Sequence, residues 1–282
     1  MKRRIAVICA ALGLVVFSFA FAGQKFISHS TAEKKGTRMP ATDKPAPVIV
    51  ELFTSEGCSS CPPADELLTR LDKSQPVPGA EIIVLAEHVD YWNRLGWTDP
   101  YSSAEFSQRQ GEYARAFGRD GVYTPQMIVD GQTEFPGGNR NKAYEAIAKA
   151  TRTPKAFVQI ITSPQSVEEK KTDQMRLAVR VEKLPAVSDG DTAEVLLAIT
   201  ENNLSTNVPR GENAGRRLSH VGVVRQFNVI GSMDTRGTST FNAEPIVALG
   251  RGLRHENLRA VVFVQERASR RVLGAAVIRL MG

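Results

Sequence analysis

"FTSEGCSSCPPADELL" (53–68) sets two cysteines three residues apart and follows them at once with two prolines. Before it runs "VIVELFT" (48–54), short and β-branched in the manner of a buried strand. After it, "PADELLTRLDK" gathers Leu67, Leu68 and Leu71 on one helical face, with Asp65 and Glu66 near the end where the helix dipole favours negative charge. Pro62 and Pro63 suit a first turn, because proline gives up an N–H that has no partner there. The spacing predicts a helix beginning between Ser59 and Cys61, with Cys58 just outside its end. A helix N-terminus stabilises a thiolate through its unpaired N–H groups, so a dithiol at that point suits redox chemistry. A lone CxxC is also half of a zinc site. As a staple it closes almost no loop and gains little stability.

The compartment bears on that choice. "MKRRIAVICAALGLVVFSFAFAGQ" (1–24) has a basic start at Lys2, Arg3 and Arg4, an apolar run from Ile5, and the small-x-small ending Ala20-Phe21-Ala22. Residues 1–22 therefore read as a signal peptide, and the mature chain as periplasmic or secreted; an uncleaved segment would instead tether it to the membrane. Of the three cysteines Cys9 lies in that segment, which leaves Cys58 and Cys61 to the mature protein. Removing the three basic residues takes the formal charge from +6 to +3, with no dense Lys/Arg block, so nucleic acid is excluded as a partner.

Residues 23–46, polar and proline-bearing, read as a flexible linker. From 47 to 153 strand and helix signals alternate in the order β-α-β-α-β-β-α. "EIIVLAEHV" (81–89) is a strand, and Ser102 with Glu105 forms a capping box for a helix striped by Phe106, Tyr113 and Phe117. Asp130-Gly131 turns a hairpin, and "NRNKAYEAIAKA" (139–150) closes the series as a helix. From 154 to 282 seven short alternating runs predict a separate antiparallel, sandwich-like β-domain.

With strand, CxxC, helix and then "VYTPQMIVDG" (122–131), the chain resembles the thioredoxin superfamily. Together with "HVDYWNRLGWTDP" (88–100) and "RGENAGRRLSH" (210–220), these motifs are similar to an exported bacterial family with a thioredoxin-like domain and no established function. The resemblance implies an α/β thioredoxin-like domain, a cis Pro125, and a Thr124 backbone that pairs with bound peptide. It implies a thiol–disulfide oxidoreductase needing no cofactor; Cys58, preceding the helix, is then expected to attack from an exposed position, and Cys61, in the first turn with the leucine face behind it, to be shielded and to resolve. Its partners would be disulfide-containing or dithiol proteins, or small thiols, together with an electron-transfer partner. Glu51 lies roughly where such proteins keep a buried acid, one residue out of register, so it is a candidate proton acceptor for Cys61 or a locally paired carboxylate. The chain departs from the superfamily at Gly57, where an aromatic often precedes the first cysteine, and at Tyr91–Pro100, which reads as an insertion.

Alternatives stay open beside the redox reading. Cys58, Cys61 and His88 offer thiolate and imidazole ligands for copper or zinc, although a histidine at a strand end is more often structural. Trp92 and Trp97 either wall the site or pack the insertion. The 208–220 loop, with Arg210, Arg216, Arg217 and His220, either holds an anion or connects strands through solvent. An envelope binding module with an inactive cysteine pair is a third possibility.

Overall fold

Strand β1 (Ala46–Thr54) lies at the middle of the assembly because both of its faces are apolar: Val48, Val50 and Leu52 look one way, Ile49 and Phe53 the other. The computed structural model describes residues 44–163, 173–233, 240–250 and 252–280. The expected signal peptide 1–22, and the expected linker 23–46 apart from its last three residues, lie outside the described residues. Among the described residues no helix is long and apolar enough to cross a membrane.

The chain continues through α1 (Pro62–Ser74), β2 (Ala80–His88), α2 (Ala104–Ala116), β3 (Gln126–Val129), β4 (Thr133–Pro136) and α3 (Arg140–Ala150). Helix α1 starts at Pro62 with Cys61 as its N-cap, and turns its leucine face onto Val48, Val50 and Leu52. The cap of α2 is Ser103, whose hydroxyl accepts from the Glu105 N–H; Ser102, the residue expected there, is engaged by Asn93 and the Asp99 carbonyl instead. Asp130 (φ 49°) and Gly131 (φ 65°) both take the left-handed conformation that a tight hairpin turn requires.

Residues beyond 153 form β5 (Phe157–Thr162), β6 (Gln174–Glu182), β7 (Ala193–Glu201), β8 (Leu204–Asn207), β9 (Arg217–His220) and β10 (Val223–Met233). Then come β11 (Phe241–Ala243), β12 (Ile246–Ala248), β13 (Leu258–Glu266) and β14 (Val272–Arg279). They do not make a separate sandwich. Strands β7, β10, β13 and β14 join β1–β4 in one mixed eight-stranded sheet, ordered β14-β13-β7-β10-β2-β1-β3-β4. The seam is the parallel contact of β10 with β2, where Val223 faces Ala86 and the Ala86 N–H donates to the Gly222 carbonyl at 2.8 Å. Gly222 has φ +60°, and a Cβ there would lie 2.7 Å from the Val84 carbonyl oxygen, so only glycine lets the chain enter the seam.

The expected α/β thioredoxin-like domain followed by an antiparallel β-domain is therefore corrected to a mostly β architecture built on one mixed sheet. The physical reason is a shared core: Ile49, Leu85 and Phe106 pack with Leu196, Ala198, Val224, Phe263 and Val272 on one face of that sheet. Burying such surface stabilises each half against the other. A smaller four-stranded sheet, β5, β6, β11 and β12, covers Val195, Leu197, Val262 and Val264 of the large one. Strands β8 and β9 pair as a two-stranded ribbon beside α1.

Candidate functional site

The end of β1 delivers the chain to the cysteines through Ser55, Glu56 and Gly57. Cys58 and Cys61 form a disulfide with Cα atoms 5.4 Å apart. The Cys61 carbonyl accepts from the N–H groups of Ala64 (2.8 Å) and Asp65 (3.2 Å), which starts α1 directly on the second cysteine. The Ser60 hydroxyl lies 3.4 Å from the Cys58 sulfur.

Both cysteines are fully buried, at 0 % exposure, whereas Ser59 and Ser60 between them are exposed. The sequence reading expects an accessible Cys58, and two covering segments explain the difference. From the 91–100 segment, the Trp92 indole donates to the Thr124 hydroxyl at 2.8 Å and the Trp97 indole to the Glu56 carboxylate at 2.8 Å. A Cβ on Gly57 would lie 3.1 Å from the Trp92 Cβ, so glycine at this position admits the tryptophan. From the 208–216 loop, the buried Asn213 amide donates to the carbonyls of Glu56 (2.8 Å) and Cys58 (2.9 Å). Glu212 accepts from the Ser59 N–H at 3.0 Å, and the Ser59 hydroxyl together with this N–H holds its carboxyl below the usual range. The tryptophans thus wall the cysteine loop, and the 208–220 loop clamps it.

Behind the disulfide lies a buried polar cluster. Asp99 accepts from the Glu56 N–H at 2.8 Å and pairs with His88 Nδ1 at 2.7 Å. Glu56 in turn meets His220 Nε2 at 3.1 Å. The two imidazoles pack edge to face with centroids 4.8 Å apart, and Tyr101 closes on both. The remaining ring nitrogens, His88 Nε2 and His220 Nδ1, are buried without a hydrogen-bond partner. Asp65, one turn into α1, accepts from the Thr54 hydroxyl at 3.0 Å. Burial pushes its carboxyl up to about 7 against the opposing pull of His220, and the nearby carboxylates of Asp99 and Glu56 add to the rise. Asp99 is also raised by burial, yet His88 and the backbone N–H groups of Glu56 and Tyr101 bring it below its ordinary value.

Not every expected site residue arrives here. Thr124 and Pro125, joined by a cis bond, do lie beside the site: the Thr124 hydroxyl accepts from the Trp92 indole, and a Cβ on Gly137 would meet both Pro125 and Ala64 in the first turn of α1. Glu51 is not brought to Cys61. It shares the Ile49 and Phe53 face of β1, away from α1, and is held there by Arg109 Nε at 2.8 Å and by the Tyr113 hydroxyl. The one-residue register offset puts it on the wrong side of the sheet, since successive strand residues face opposite ways. His88 is committed to Asp99 through Nδ1, and among the described residues no group of three or more His, Cys, Asp or Glu is arranged to hold a metal ion. The residues that sequence reasoning missed are Glu56, Asp65, Asp99 and Asn213. Their only signals were position: beside the cysteines, at a helix start, in an insertion, and in a glycine-bearing loop.

Fold and site together define a mixed β-sheet protein whose buried CxxC disulfide starts a helix and is covered by loops from both halves of the chain. The chain belongs to the family described as "Protein of unknown function (DUF1223)", whose model matches residues 49–265. It is similar to the crystal structure of a structural-genomics protein from Agrobacterium tumefaciens, with 26% identity, a TM-score of 0.63, and coverage of 84% of this chain and 96% of that one. A calcium-binding mutant of Bacteroides uniformis beta-glucuronidase 2 matches at 17% identity over 43% of this chain and 12% of that one; its TM-score of 0.25 carries no argument. Among curated proteins none matches the chain.

Proposed function

We propose that this protein is an exported thiol–disulfide oxidoreductase that works through Cys58 and Cys61. The observation that carries the reading is a disulfide set at the start of α1, with Cys61 as its N-cap and Cys58 just before it, where the unpaired N–H groups of a helix end favour a thiolate. The resemblance to the thioredoxin superfamily supports it locally, through the CxxC at a helix start and the Thr124-Pro125 pair, while the overall sheet differs. The basic, apolar N-terminal segment supports export, to a compartment where disulfides persist.

In the reductive direction the Cys58 thiolate attacks one sulfur of a substrate disulfide, and the substrate's other sulfur leaves as a thiolate. The Cys61 thiolate then attacks the Cys58 sulfur, freeing the second substrate thiol and closing the Cys58–Cys61 disulfide. Two electrons have passed to the substrate, and a dithiol partner protein returns them. Oxidation of a substrate dithiol is the same sequence reversed. Asp65, rather than Glu51, is the acid suited to take the Cys61 proton, being buried one turn along the same helix with its affinity for protons raised into the neutral range. No cofactor enters either direction.

The test is the reduction potential of the pair by equilibration with thiol buffers, joined to trapping in cells. Cys61→Ala is expected to accumulate mixed disulfides with natural substrates, and Cys58→Ala is not. A pair that resists every thiol buffer, with no adduct on Cys61→Ala, would end the redox reading.

A further inference from the structure

A groove of about 390 Å³ opens between α1 and β9, next to the disulfide. Pro62, immediately after Cys61, forms one wall, and Asp65 and Glu66 follow along the helix. Arg70 of α1 lines it from the same side, and Arg216 and Arg217 line it from the approach to β9. Its volume falls within the range of small-ligand sites.

The three arginines have no carboxylate partner among the described residues. Arg216 donates to the Asn213 side-chain carbonyl at 3.1 Å and Arg217 to the Ser205 hydroxyl at 3.1 Å, both neutral acceptors. All three are exposed, so the groove presents three cations against one exposed carboxylate, Glu66, and a buried Asp65. Guanidinium groups in such a setting select planar anions, carboxylates above all. We infer that this groove is the substrate-binding site of the oxidoreductase, and that its substrates are small acidic peptides or thiols bearing carboxylates close to the reacting sulfur. The inference rests on the redox reading and adds a substrate class to it.

The groove is also linked to the cover over the cysteines. Asn213 clamps the Glu56 and Cys58 carbonyls through its amide nitrogen while its amide oxygen is held by Arg216. A carboxylate bound in the groove competes for Arg216 and removes one support of the clamp. Binding of the anion and exposure of Cys58 are then coupled events, which explains how a disulfide with no exposed surface meets a substrate.

The test uses the full mature chain and three disulfides of different charge: glutathione disulfide (anionic), bis(2-hydroxyethyl) disulfide (neutral) and cystamine (cationic). Calorimetry on the oxidised protein measures binding without chemistry; stopped-flow exchange on the reduced protein measures kcat and KM. Glutathione disulfide is expected to bind most tightly, less so at high salt, and to show the highest kcat/KM through its KM. In Arg216→Gln/Arg217→Gln the preference for the anionic over the cationic disulfide is expected to fall about tenfold. Arg70→Gln, on the helix and outside the clamp, is expected to lower the same preference by about threefold and guards against a loop that simply rearranges. Equal binding of all three disulfides, or a preference untouched by both variants, overturns the groove. Charge-selective binding without exchange of any disulfide upholds the groove and rejects the redox chemistry. Exchange with all three at equal kcat/KM upholds the chemistry and rejects the groove.

Discussion

Two buried polar clusters lie on opposite sides of the same sheet, and they differ in kind. On the α2 side, Arg109 bonds Glu51, stacks 4.5 Å from the Phe227 ring centroid and 5.1 Å from that of Tyr113, and reaches Gln265 at 3.1 Å. Burial and the Glu51 charge raise the carboxyl of Glu87, beside it, well above the usual range. On the disulfide side, Glu56, His88, Asp99 and His220 pair carboxylate with imidazole and leave two ring nitrogens unpartnered. One cluster spends its polar groups on joining residue 51 to residue 265. The other gathers two carboxylates and two imidazoles around Glu56, two residues before Cys58. Both clusters hold buried polar atoms without a hydrogen-bond partner, Glu87 Oε1 and Oε2 in the first and the two imidazole nitrogens in the second, so what separates them is place: only the second is built on the segment that carries the cysteines.

The largest expected effect breaks the first cluster and its shared core together. Residues 45–153 expressed alone would lose Gln265 and the apolar partners that β7, β10, β13 and β14 supply. Such a fragment is expected to aggregate or remain unfolded by circular dichroism, whereas a separate second domain, as the sequence predicts, would leave it folded. A soluble, cooperatively folding fragment would show that the shared core is dispensable.

Next comes Arg109→Ala, which leaves Glu51 buried without its cation and is expected to cost about 3–5 kcal/mol in urea unfolding. Glu56→Gln on the other side keeps acceptors for the Trp97 indole and, through the amide, a donor for the imidazole, so its stability loss is expected to be smaller. Its reduction potential should shift while that of Arg109→Ala, measured under folding conditions, should not. Equal shifts in both would erase the distinction between the clusters.

A pH titration sharpens the comparison further. The Asp65 carboxyl is raised from 3.8 to about 7 on folding. Below pH 3.8 it is protonated in both folded and unfolded chains, and no stability depends on it. Between those values the unfolded chain ionises first, so it binds fewer protons than the native state and stability falls as pH rises. At about 1.4 kcal/mol per unit, the loss is at most about 4 kcal/mol, and Asp65→Asn is expected to flatten the melting temperature between pH 4 and pH 8. A wild-type profile that rises over that window would contradict the assignment.

The smallest effect concerns the clamp. Asn213→Ala removes two hydrogen bonds to buried carbonyls and is expected to cost about 1–3 kcal/mol. Its larger consequence is kinetic: alkylation of reduced protein should speed up at Cys58 more than at Cys61. Unchanged labelling would mean that Asn213 does not govern access.

Local features were open to reading from the chain. The α1 helix, its proline start and its leucine face follow from a 3.6-residue period. The Asp130-Gly131 turn follows from residues that tolerate positive φ. The CxxC at a helix start required only the order strand, cysteine pair, prolines, leucines. Each of these depends on neighbours within a few positions. The site was half legible for the same reason: its sulfurs are local, whereas Trp92, Asn213 and His220 come from elsewhere.

Partner choice was decided by the tertiary structure alone. Alternating residues tell which strand faces are apolar but not which strand lies beside which, because every backbone offers the same N–H and C=O groups. Hence β10 beside β2, which turned two expected domains into one sheet, left no mark in the pattern beyond a glycine at 222. Glu51 shows the same limit from the other direction: its type and approximate place suited a proton acceptor, and one residue of register sent it through the sheet to Arg109. What the sequence by itself determined was the chemistry at the start of α1. Folding determined what covers that chemistry and which acid stands near it, because those contacts join segments far apart in the chain and are set by packing rather than by period.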